Sequence, residues 1–292
     1  MIGTSFGIST LALHASHGTI TPPTVTVFNF TAGTLPAGVS LSRASTATYF
    51  NASGVLATAA AHSARFDHDP QTLDAKGLLV EGGTTNLIAQ SSDLSTSAWV
   101  KNAFTPSQNS DVAPDGSAVG GWDFGSGYAF CGMSTTSGVP HTASFWVKAN
   151  QNCTIGLRAC GTSGSDTEDV ALTTSWTRIS RTATPASDAP KFLLENRSGQ
   201  GFGVSGLEVF IWGVQVELGT VPSSYVATSG SPVSRASDTA GISGVNGVFD
   251  VLVRYANGTS ATLQDQAVSD GWWPAQSSAW ITSIELHPQG SL

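Results

Sequence analysis

The segment GLEVFIWGVQVEL, residues 206–218, constrains the fold more than any other part of the sequence. In an extended strand, successive side chains point to opposite faces. Strict alternation assigns Phe210, Trp212, Val214 and Val216 to one face, and Val209, Ile211 and Gln215 to the other. Both faces are largely apolar, and a strand buried on both sides lies centrally in a sheet that is itself covered. The segment therefore predicts a two-layer β-sandwich rather than an open sheet.

The composition extends this prediction to the whole chain. Only 11% of the 292 residues are charged, compared with about 25% in typical soluble domains. The 32 glycines, together with many serines and threonines, favour short strands joined by turns. Strand-like runs recur between residues 86 and 238, and none of them has a sustained helical period. An all-β fold is predicted.

The order of these runs divides the chain into four parts. Residues 1–22 are apolar and nearly uncharged, and they are interpreted as an attachment arm. Residues 23–86 form an N-terminal β segment that packs on the body, and residues 87–238 form the sandwich. Residues 239–292 are predicted to form a small three-stranded β domain, in which Asn257-Gly258 favours a type I′ hairpin turn.

The charge pattern argues against two kinds of partner. The net charge is −8, and no cluster of Lys or Arg interrupts this deficit. Nucleic acids and anionic membranes are bound through basic patches, so neither is an expected partner.

No apolar stretch reaches the roughly 18 to 20 residues of a membrane span. No Lys or Arg precedes Arg43, so the basic start of a signal peptide is missing.

The three cysteines, Cys131, Cys153 and Cys160, have no metal-binding or redox spacing. One disulfide among them is an open alternative. The favoured interpretation is that all three are small apolar side chains in a protein assembled in a reducing cytoplasm.

The stretch GLLVEGGTTNLIAQSSDL, residues 77–94, holds a glutamate and an asparagine between apolar runs. Glu81 could be a general acid, but a lone glutamate beside two glycines favours a structural role in a turn. Asn86 is expected to satisfy backbone groups where the chain enters the sandwich. The residues predicted to enter the core are Leu78, Val80, Leu87 and Ile88, and Gly82-Gly83 is predicted to allow a bend.

Candidate metal ligands are few. In an extended strand, Asp67 and Asp69 of RFDHDP would point the same way and could meet a calcium ion. The favoured alternative is that Arg65 pairs with an aspartate and that Asp69-Pro70 starts a turn. His14 and His17 are spaced like ligands on a helix, but no third ligand is evident. No metal or other cofactor is predicted, and the common catalytic motifs are missing from the sequence.

Aromatic residues are the candidates for binding a sugar, because an exposed ring can stack on the apolar face of a sugar ring. Trp122 and Tyr128 lie in the Gly-rich GGWDFGSGYAF, and Trp272 and Trp273 lie in DGWWPAQ. Loops are expected at both places. Each ring could instead close one end of the sandwich, as buried aromatic residues often do.

Six segments in order resemble a known group of proteins. They are SRASTATYFNASG, ARFDHDP, GLLVEGGTTNLIAQSSDL, ASFWVKA, SWTRISRT and IWGVQVELGTVPSSYVATSGSPVSRASD. This series resembles structural proteins of tailed phages and gene-transfer agents, of the head-spike, fibre and carbohydrate-binding-module-like types. The closing FDVLVRYANGTSATL and WITSIEL resemble the small β-unit that often follows. The resemblance covers roughly residues 39 to 286.

The resemblance implies a jelly-roll sandwich without catalytic function, located in the virion after assembly in the bacterial cytoplasm. It further implies a homo-oligomer, with a trimer favoured over a pentamer, and adhesion to host-surface glycans. The arm at residues 1–22 is predicted to dock on other virion proteins. The alternatives are a freestanding carbohydrate-binding module and a polysaccharide-degrading enzyme.

Overall fold

The computed structural model describes residues 24–161 and 166–292. These residues form an all-β protein built around a jelly-roll β-sandwich, which confirms the predicted fold class. The predicted arm at residues 1–22, with His14 and His17, lies outside the described residues. Within the described ranges, no helix is long and apolar enough to cross a membrane.

The described residues contain twenty strands. The N-terminal segment contributes β1 Thr26–Asn29, β2 Val39–Ser42, β3 Ala47–Phe50, β4 Leu56–Ala59, β5 Phe66–His68, β6 Ala75–Leu79 and β7 Thr84–Asn86. The sandwich consists of β8 Trp99–Val112, β9 Ala118–Gly132, β10 His141–Ala149, β11 Cys153–Gly161, β12 Glu168–Leu172, β13 Thr177–Ala183, β14 Lys191–Glu195 and β15 Glu208–Leu218. The last strands are β16 Val233–Arg235, β17 Thr239–Ile242, β18 Gly247–Tyr255, β19 Ser260–Val268 and β20 Trp280–Pro288.

The sandwich is one antiparallel eight-stranded sheet folded into two layers. Its strands follow the order β12-β11-β14-β9-β15-β10-β13, and β8 pairs with β9. Strand β9 belongs to both layers, because residues 128–132 pair with β14 whereas Trp122 and Asp123 pair with β15. The inner faces enclose the largest core, in which Phe145 packs edge-on against Phe192 with ring centres 5.2 Å apart.

Strand β15 is buried on both faces over most of its length, as predicted for residues 206–218. The predicted distribution of its side chains is wrong beyond Gly213. The register with β10 shifts between Ser144 and Trp146, and Gly213 has a φ of +66°. One extra residue is therefore inserted as a β-bulge, which reverses the alternation. Val214 and Val216 join Val209 and Ile211 in the inner core, whereas Phe210 and Trp212 pack in a separate outer cluster.

This outer cluster joins the sandwich to the N-terminal segment. It includes Leu56 of β4, Trp146 of β10 and Tyr225 from the loop after β15. Phe50 of β3 packs against it as well. The outer face of the β13-β10-β15 layer is thus covered by apolar side chains from residues that precede the sandwich in the chain.

A six-stranded sheet brings the two ends of the described chain together. Its order is β19-β18-β20-β6-β5, and β1 pairs with β20. Strands of the 23–86 segment and of the 239–292 unit therefore belong to the same sheet. Its core contains Phe28 and Leu78 from the first segment and Val251, Val253 and Ile284 from the second.

The β18–β19 hairpin turns at Asn257-Gly258, but the predicted type I′ turn is wrong. A type I′ turn needs positive φ at both central residues. Gly258 has a φ of +80°, whereas Asn257 is not among the residues with positive φ. The Gly258 amide donates to the Tyr255 carbonyl at 3.1 Å, and the Tyr255 amide donates to Thr259 at 3.0 Å. This is the three-residue loop in which a left-handed glycine follows a type I turn.

All three cysteines are free thiols. Cys131 and Cys160 are buried, and Cys153 is half-buried against the same core. Burial raises the pKa of the Cys160 thiol to about 12. The interpretation of these residues as small core side chains is confirmed, and the alternative of a disulfide is not.

Candidate functional site

A cleft of about 1010 Å³ opens between the N-terminal segment and the outer face of the sandwich. This volume is at the upper end of the range of about 300 to 1,000 Å³ found for small-molecule sites. We call it the aromatic cleft and define it by these lining residues: Tyr49, Phe50, Asp67, Asp69, Lys76, Trp146, Trp176, Arg178, Tyr225 and Trp280. They come from β3, β5, β6, β10, β13, β20 and the adjoining loops, so the cleft exists only because these elements meet.

Two buried rings form the floor of the cleft. Trp146 of β10 and Tyr225 lie edge to face, with ring centres 5.8 Å apart. Trp146 also contacts Phe50 at 6.2 Å and Trp212 at 5.4 Å. The Tyr225 hydroxyl is hydrogen-bonded to Ser91 Oγ at 2.6 Å. These contacts hold the two rings in a defined arrangement.

Besides Phe50, which contacts the floor, three half-buried rings form the walls. They are Tyr49 on β3, Trp176 directly before β13, and Trp280 at the start of β20. Each ring has one part packed on the protein and another part open to the cleft. Aromatic side chains of this kind offer an apolar surface together with a polar edge.

The orientation of Trp280 is determined by two charged side chains. The indole Nε1–H donates to Asp67 Oδ2 at 2.6 Å. The Lys76 ammonium lies 5.5 Å from the centre of the same ring. One ring edge is thereby held by a hydrogen bond and the ring contacts a cation, which favours a single ring orientation.

Asp67 is the buried carboxylate of the cleft. Its second oxygen, Oδ1, accepts a hydrogen bond from the Phe50 amide at 2.6 Å. Burial raises the pKa of the Asp67 carboxyl, although the hydrogen bonds from Trp280 and Phe50 act in the opposite direction. Both oxygens are thus used to hold neighbouring elements in place.

Asp69 lines the same cleft but is used differently. Its Oδ1 accepts the amides of Gln71 at 2.9 Å and Thr72 at 3.1 Å, and its Oδ2 lies 3.4 Å from Lys76 Nζ. These backbone hydrogen bonds lower the pKa of Asp69. The turn predicted at Asp69-Pro70 is therefore present. Among the described residues, no group of three or more His, Cys, Asp or Glu side chains could hold a metal ion.

Arg178 of β13 lies against the floor. Its guanidinium carbon is 4.5 Å from the centre of the Trp146 ring. Its Nη2 donates to Ser144 Oγ at 2.9 Å and to the Ser223 carbonyl at 2.8 Å. Burial lowers the pKa of Arg178, against the attraction of Glu217, Glu81 and Asp67.

Behind the cleft lies a cluster of buried charges, which we call the ion cluster: Arg43, Arg65, Glu81, Arg235 and Asp238. Glu81 Oε2 is 2.8 Å from Arg65 Nη1 and 3.5 Å from Arg235 Nη2. Asp238 pairs with Arg43 at 2.9 Å and with Arg65 at 2.5 Å. The ion cluster ties the N-terminal segment to the chain that follows the sandwich.

Glu81 is structural, as expected, but its carboxylate acts in the ion cluster and not in a turn. Burial by itself would raise its pKa, but Arg235, Arg65 and hydrogen bonds from Ser224 outweigh this effect and lower the pKa. The Ser224 amide and hydroxyl donate to Glu81 at 2.8 and 2.7 Å. The carboxylate is therefore ionised and fully engaged, unlike a general acid, which needs a raised pKa.

Asn86 satisfies backbone groups, as predicted. Its amide donates to the carbonyls of Val214 at 3.1 Å and Val226 at 2.8 Å, and its oxygen accepts the amides of Ile88 and Val216 at 3.1 Å each. Ile88 is fully buried, as are Leu78 and Val80, whereas Leu87 is only half-buried. Of the two adjacent glycines, neither has a positive φ. The expected bend therefore does not depend on the conformational freedom of glycine.

The four rings predicted from sequence do not form one site. Trp122 is buried in the sandwich core and stacks on Phe104 with ring centres 4.9 Å apart. Tyr128 is half-buried on the outer face of the other layer, with the Arg197 guanidinium 5.1 Å from its ring centre. Trp272 and Trp273 pack against the core of the six-stranded sheet. None of these four residues lines the aromatic cleft.

Sequence reasoning missed Tyr49, Trp176, Arg178 and Trp280. Tyr49 and Trp176 occur in two of the six resembling segments, but no local pattern connects them with Trp280 more than one hundred residues further on. A usable signal is an aromatic residue at the start of a strand or directly before it, as at Trp280 and Trp176. Only the packing of the sheets brings these positions together.

Comparisons with known proteins give weak similarities. No protein-family model matches the sequence, and no curated protein matches it. Among solved structures, a CBM4 protein is 17% identical, with a TM-score of 0.33, over 45% of this chain and 94% of that chain. A family 29 carbohydrate-binding module is 12% identical, with a TM-score of 0.32, over 47% and 90%. The enzymatically active domain of bacteriophage CBA120 tailspike protein 4 is 12% identical, with a TM-score of 0.33, over 44% and 21%.

Proposed function

We propose that this chain is a saccharide-binding protein and that the aromatic cleft is its binding site. The observation that carries this proposal is the placement of three half-buried rings, Tyr49, Trp176 and Trp280, around one cleft. Carbon-bound hydrogens give a pyranose an apolar face, which packs on an aromatic ring, while its hydroxyls need hydrogen-bonding partners at the rim. The cleft supplies both kinds of surface.

Polar groups stand beside these rings in the cleft and can form hydrogen bonds with sugar hydroxyls. The exposed Gln71, the half-buried Lys76 and Asp69 all line the cleft. A mostly apolar pocket with a few oriented polar groups is the usual form of a small-molecule site. Binding rather than hydrolysis is favoured, because both oxygens of Asp67 already accept hydrogen bonds from the protein.

The finer proposal is that the protein is a homo-oligomeric structural component of a phage virion and uses the cleft to adhere to host-surface glycans. It is supported by the six sequence segments that resemble phage head-spike and fibre proteins. A chain with so few charges is expected to cover sheet edges with identical partners. Light scattering at micromolar concentration should therefore give the mass of a trimer, whereas a monomer would contradict this part of the proposal.

The role of the cleft in binding is tested by removing one aromatic side chain at a time. Trp176→Ala and Trp280→Ala should each weaken binding to a glycan selected from an array by about 2 kcal/mol, or roughly 30-fold in Kd, as for a central interface ring. Tyr128→Ala is the matched control, because Tyr128 is a half-buried ring outside the cleft. Kd is measured by calorimetry on variants whose melting temperatures are recorded in parallel.

Two results would overturn the proposal. Loss of binding in Tyr128→Ala, with full binding in both tryptophan variants, would place the glycan on the other sandwich layer. Release of reducing ends from a bound polysaccharide would show that the protein is a degrading enzyme rather than an adhesin.

A further inference from the structure

Arg178 differs from the three arginines of the ion cluster. Arg43, Arg65 and Arg235 each lie within 3.5 Å of an oxygen of Asp238 or Glu81. Arg178 takes part in none of the ion pairs formed within residues 24–161 and 166–292. Its hydrogen bonds go to neutral oxygens of Ser144 and Ser223. The cleft thus contains a cation that no neighbouring carboxylate neutralises at contact distance.

Two residues that line the cleft each carry a donor with no acceptor in the described part of the chain. Arg178 Nε and Trp176 Nε1 are both buried and make no hydrogen bond within the described part of the chain. The two residues are separated by one position where the chain enters β13, and both line the cleft. Residues two apart in extended backbone point to the same side. A buried donor without a partner is costly. Among the described residues with such a donor, Trp176 and Arg178 are the two that line the cleft, so a molecule bound there is expected to supply the acceptor.

The acidic residues of the cleft do not provide this acceptor. Asp67 uses both oxygens to accept hydrogen bonds from Phe50 and Trp280. Asp69 accepts backbone amides of its own turn and lies 3.4 Å from Lys76 Nζ. The donors left unmatched are therefore one N–H of a guanidinium and one indole N–H, and a carboxylate can accept from both.

We infer that the aromatic cleft takes a carboxylate-bearing saccharide and that Arg178 and Trp176 bind its carboxylate. This inference rests on the proposed function, because it names the ligand class of the same cleft. Tyr49 and Trp280 pack against the sugar rings, and Arg178, whose guanidinium lies over Trp146, offers its unpaired Nε–H and its positive charge to the acid group. Uronic acids and sialic acids have the required combination of an apolar ring face and a carboxylate.

The experiment compares acidic saccharides with their carboxyl-reduced forms. Oligomers of galacturonic acid, oligomers of hyaluronan, and sialyllactose are titrated into the full-length protein, each beside its carboxyl-reduced counterpart. At least one acidic form should bind about tenfold or more tightly than its reduced form, and this advantage should fall with added salt. In Arg178→Gln the ratio of the two Kd values should fall toward one, because the acidic form loses more affinity than the reduced form.

Two further variants separate recognition from folding. Trp176→Phe keeps an aromatic ring but removes the Nε1 donor together with the five-membered ring of the indole, so both forms should lose some affinity and the acidic form should lose more. Arg178→Lys should retain part of the preference, because it keeps the charge but not the planar fork. Melting temperatures of all variants are measured, and the ratio of the two Kd values is unaffected by a partly unfolded fraction.

The outcomes distinguish this inference from the function on which it rests. If the reduced forms bind in the cleft as tightly as the acidic forms, the carboxylate inference is wrong and saccharide binding stands. If Arg178→Gln weakens the binding of both forms equally, the carboxylate inference is also wrong, since the role of Arg178 would then be only structural. If a broad glycan array shows no binding at all, the proposed function fails as well.

Discussion

At the scale of single residues, the most informative position is Glu81. A glutamate beside two glycines could belong to a catalytic site or to a scaffold, and its surroundings decide between them. It accepts hydrogen bonds from Ser224 and faces two arginines in the ion cluster. A buried ion pair contributes little net stability, but removal of one partner leaves an uncompensated buried charge. Glu81 therefore matters for folding rather than for chemistry.

Replacement of Glu81 by Gln should lower the free energy of unfolding by about 3 to 5 kcal/mol, because Arg65 and Arg235 lose their shared carboxylate. Since the pKa of Glu81 is lowered in the folded protein, its stabilisation is present above the ordinary glutamate pKa of about 4.3 and is lost as the pH falls through the folded pKa. The difference between wild type and variant should therefore shrink in acid. Urea unfolding at pH 7 and at successively lower pH measures it.

The control for this experiment is Glu285→Gln. Glu285 pairs with Arg254, whose side chain is 53% exposed, and such a surface pair is worth about 0 to 1 kcal/mol. The folded fraction of the Glu81 variant should bind glycan normally, because Glu81 does not line the cleft. A loss of binding at an unchanged melting temperature would show that Glu81 belongs to the site.

At the scale of elements, the bulge in β15 links the sandwich to the cleft. Gly213 turns Phe210 and Trp212 toward the N-terminal segment and the two valines after it toward the core. A Cβ added at Gly213 would lie 2.8 Å from the Trp146 ring, which is the floor of the cleft. The bulge is thus needed both for the register of β15 and for the position of Trp146.

The variant Gly213→Ala should destabilise the fold by about 1 to 3 kcal/mol, because it combines a left-handed φ with overpacking against Trp146. Glycan affinity should fall as well, since the ring must move. Gly120→Ala in β9 is the matched control: it has no positive φ, and nothing lies within 4 Å of its added Cβ. Equal melting temperatures for the two variants would contradict the role assigned to the bulge.

At the scale of the whole molecule, the two ends of the described chain depend on each other. Strands β1 and β6 pair with β20, and β2 pairs with β17. Leu78 and Phe28 are buried in a core to which the strands between residues 247 and 288 contribute Val251, Val253 and Ile284. The six-stranded sheet is therefore a joint product of segments that are far apart in sequence.

A chain that ends at residue 238 should consequently lose order in residues 24–80 while the sandwich strands stay folded. The truncation removes every strand from β17 to β20 and leaves the apolar face of β6 uncovered. Amide hydrogen exchange should show fast exchange in β1, β5 and β6 and continued protection in β9, β10 and β15. Persistent protection of β6 would mean that the N-terminal segment folds without its partner strands.

The sequence by itself determined the all-β class and the sandwich, because these depend on local properties: period-two patterns, few charges and many turn residues. It also determined that β15 is central and that Asn86 and Glu81 are structural, since both sit between apolar runs that must enter a core. A local sequence pattern does not show where a β-bulge will occur. The face predicted for Val214 and Val216 was wrong for this reason.

Only the tertiary structure decided the site. The aromatic residues chosen from Gly-rich segments lie in three separate places, whereas the cleft is built from Tyr49, Trp176 and Trp280, which no sequence neighbourhood connects. The same holds for the ion cluster, in which Arg65 meets Asp238. Such sites arise when sheets pack face to face and bring together residues that are far apart in the sequence. Local sequence patterns do not show which of these residues will meet.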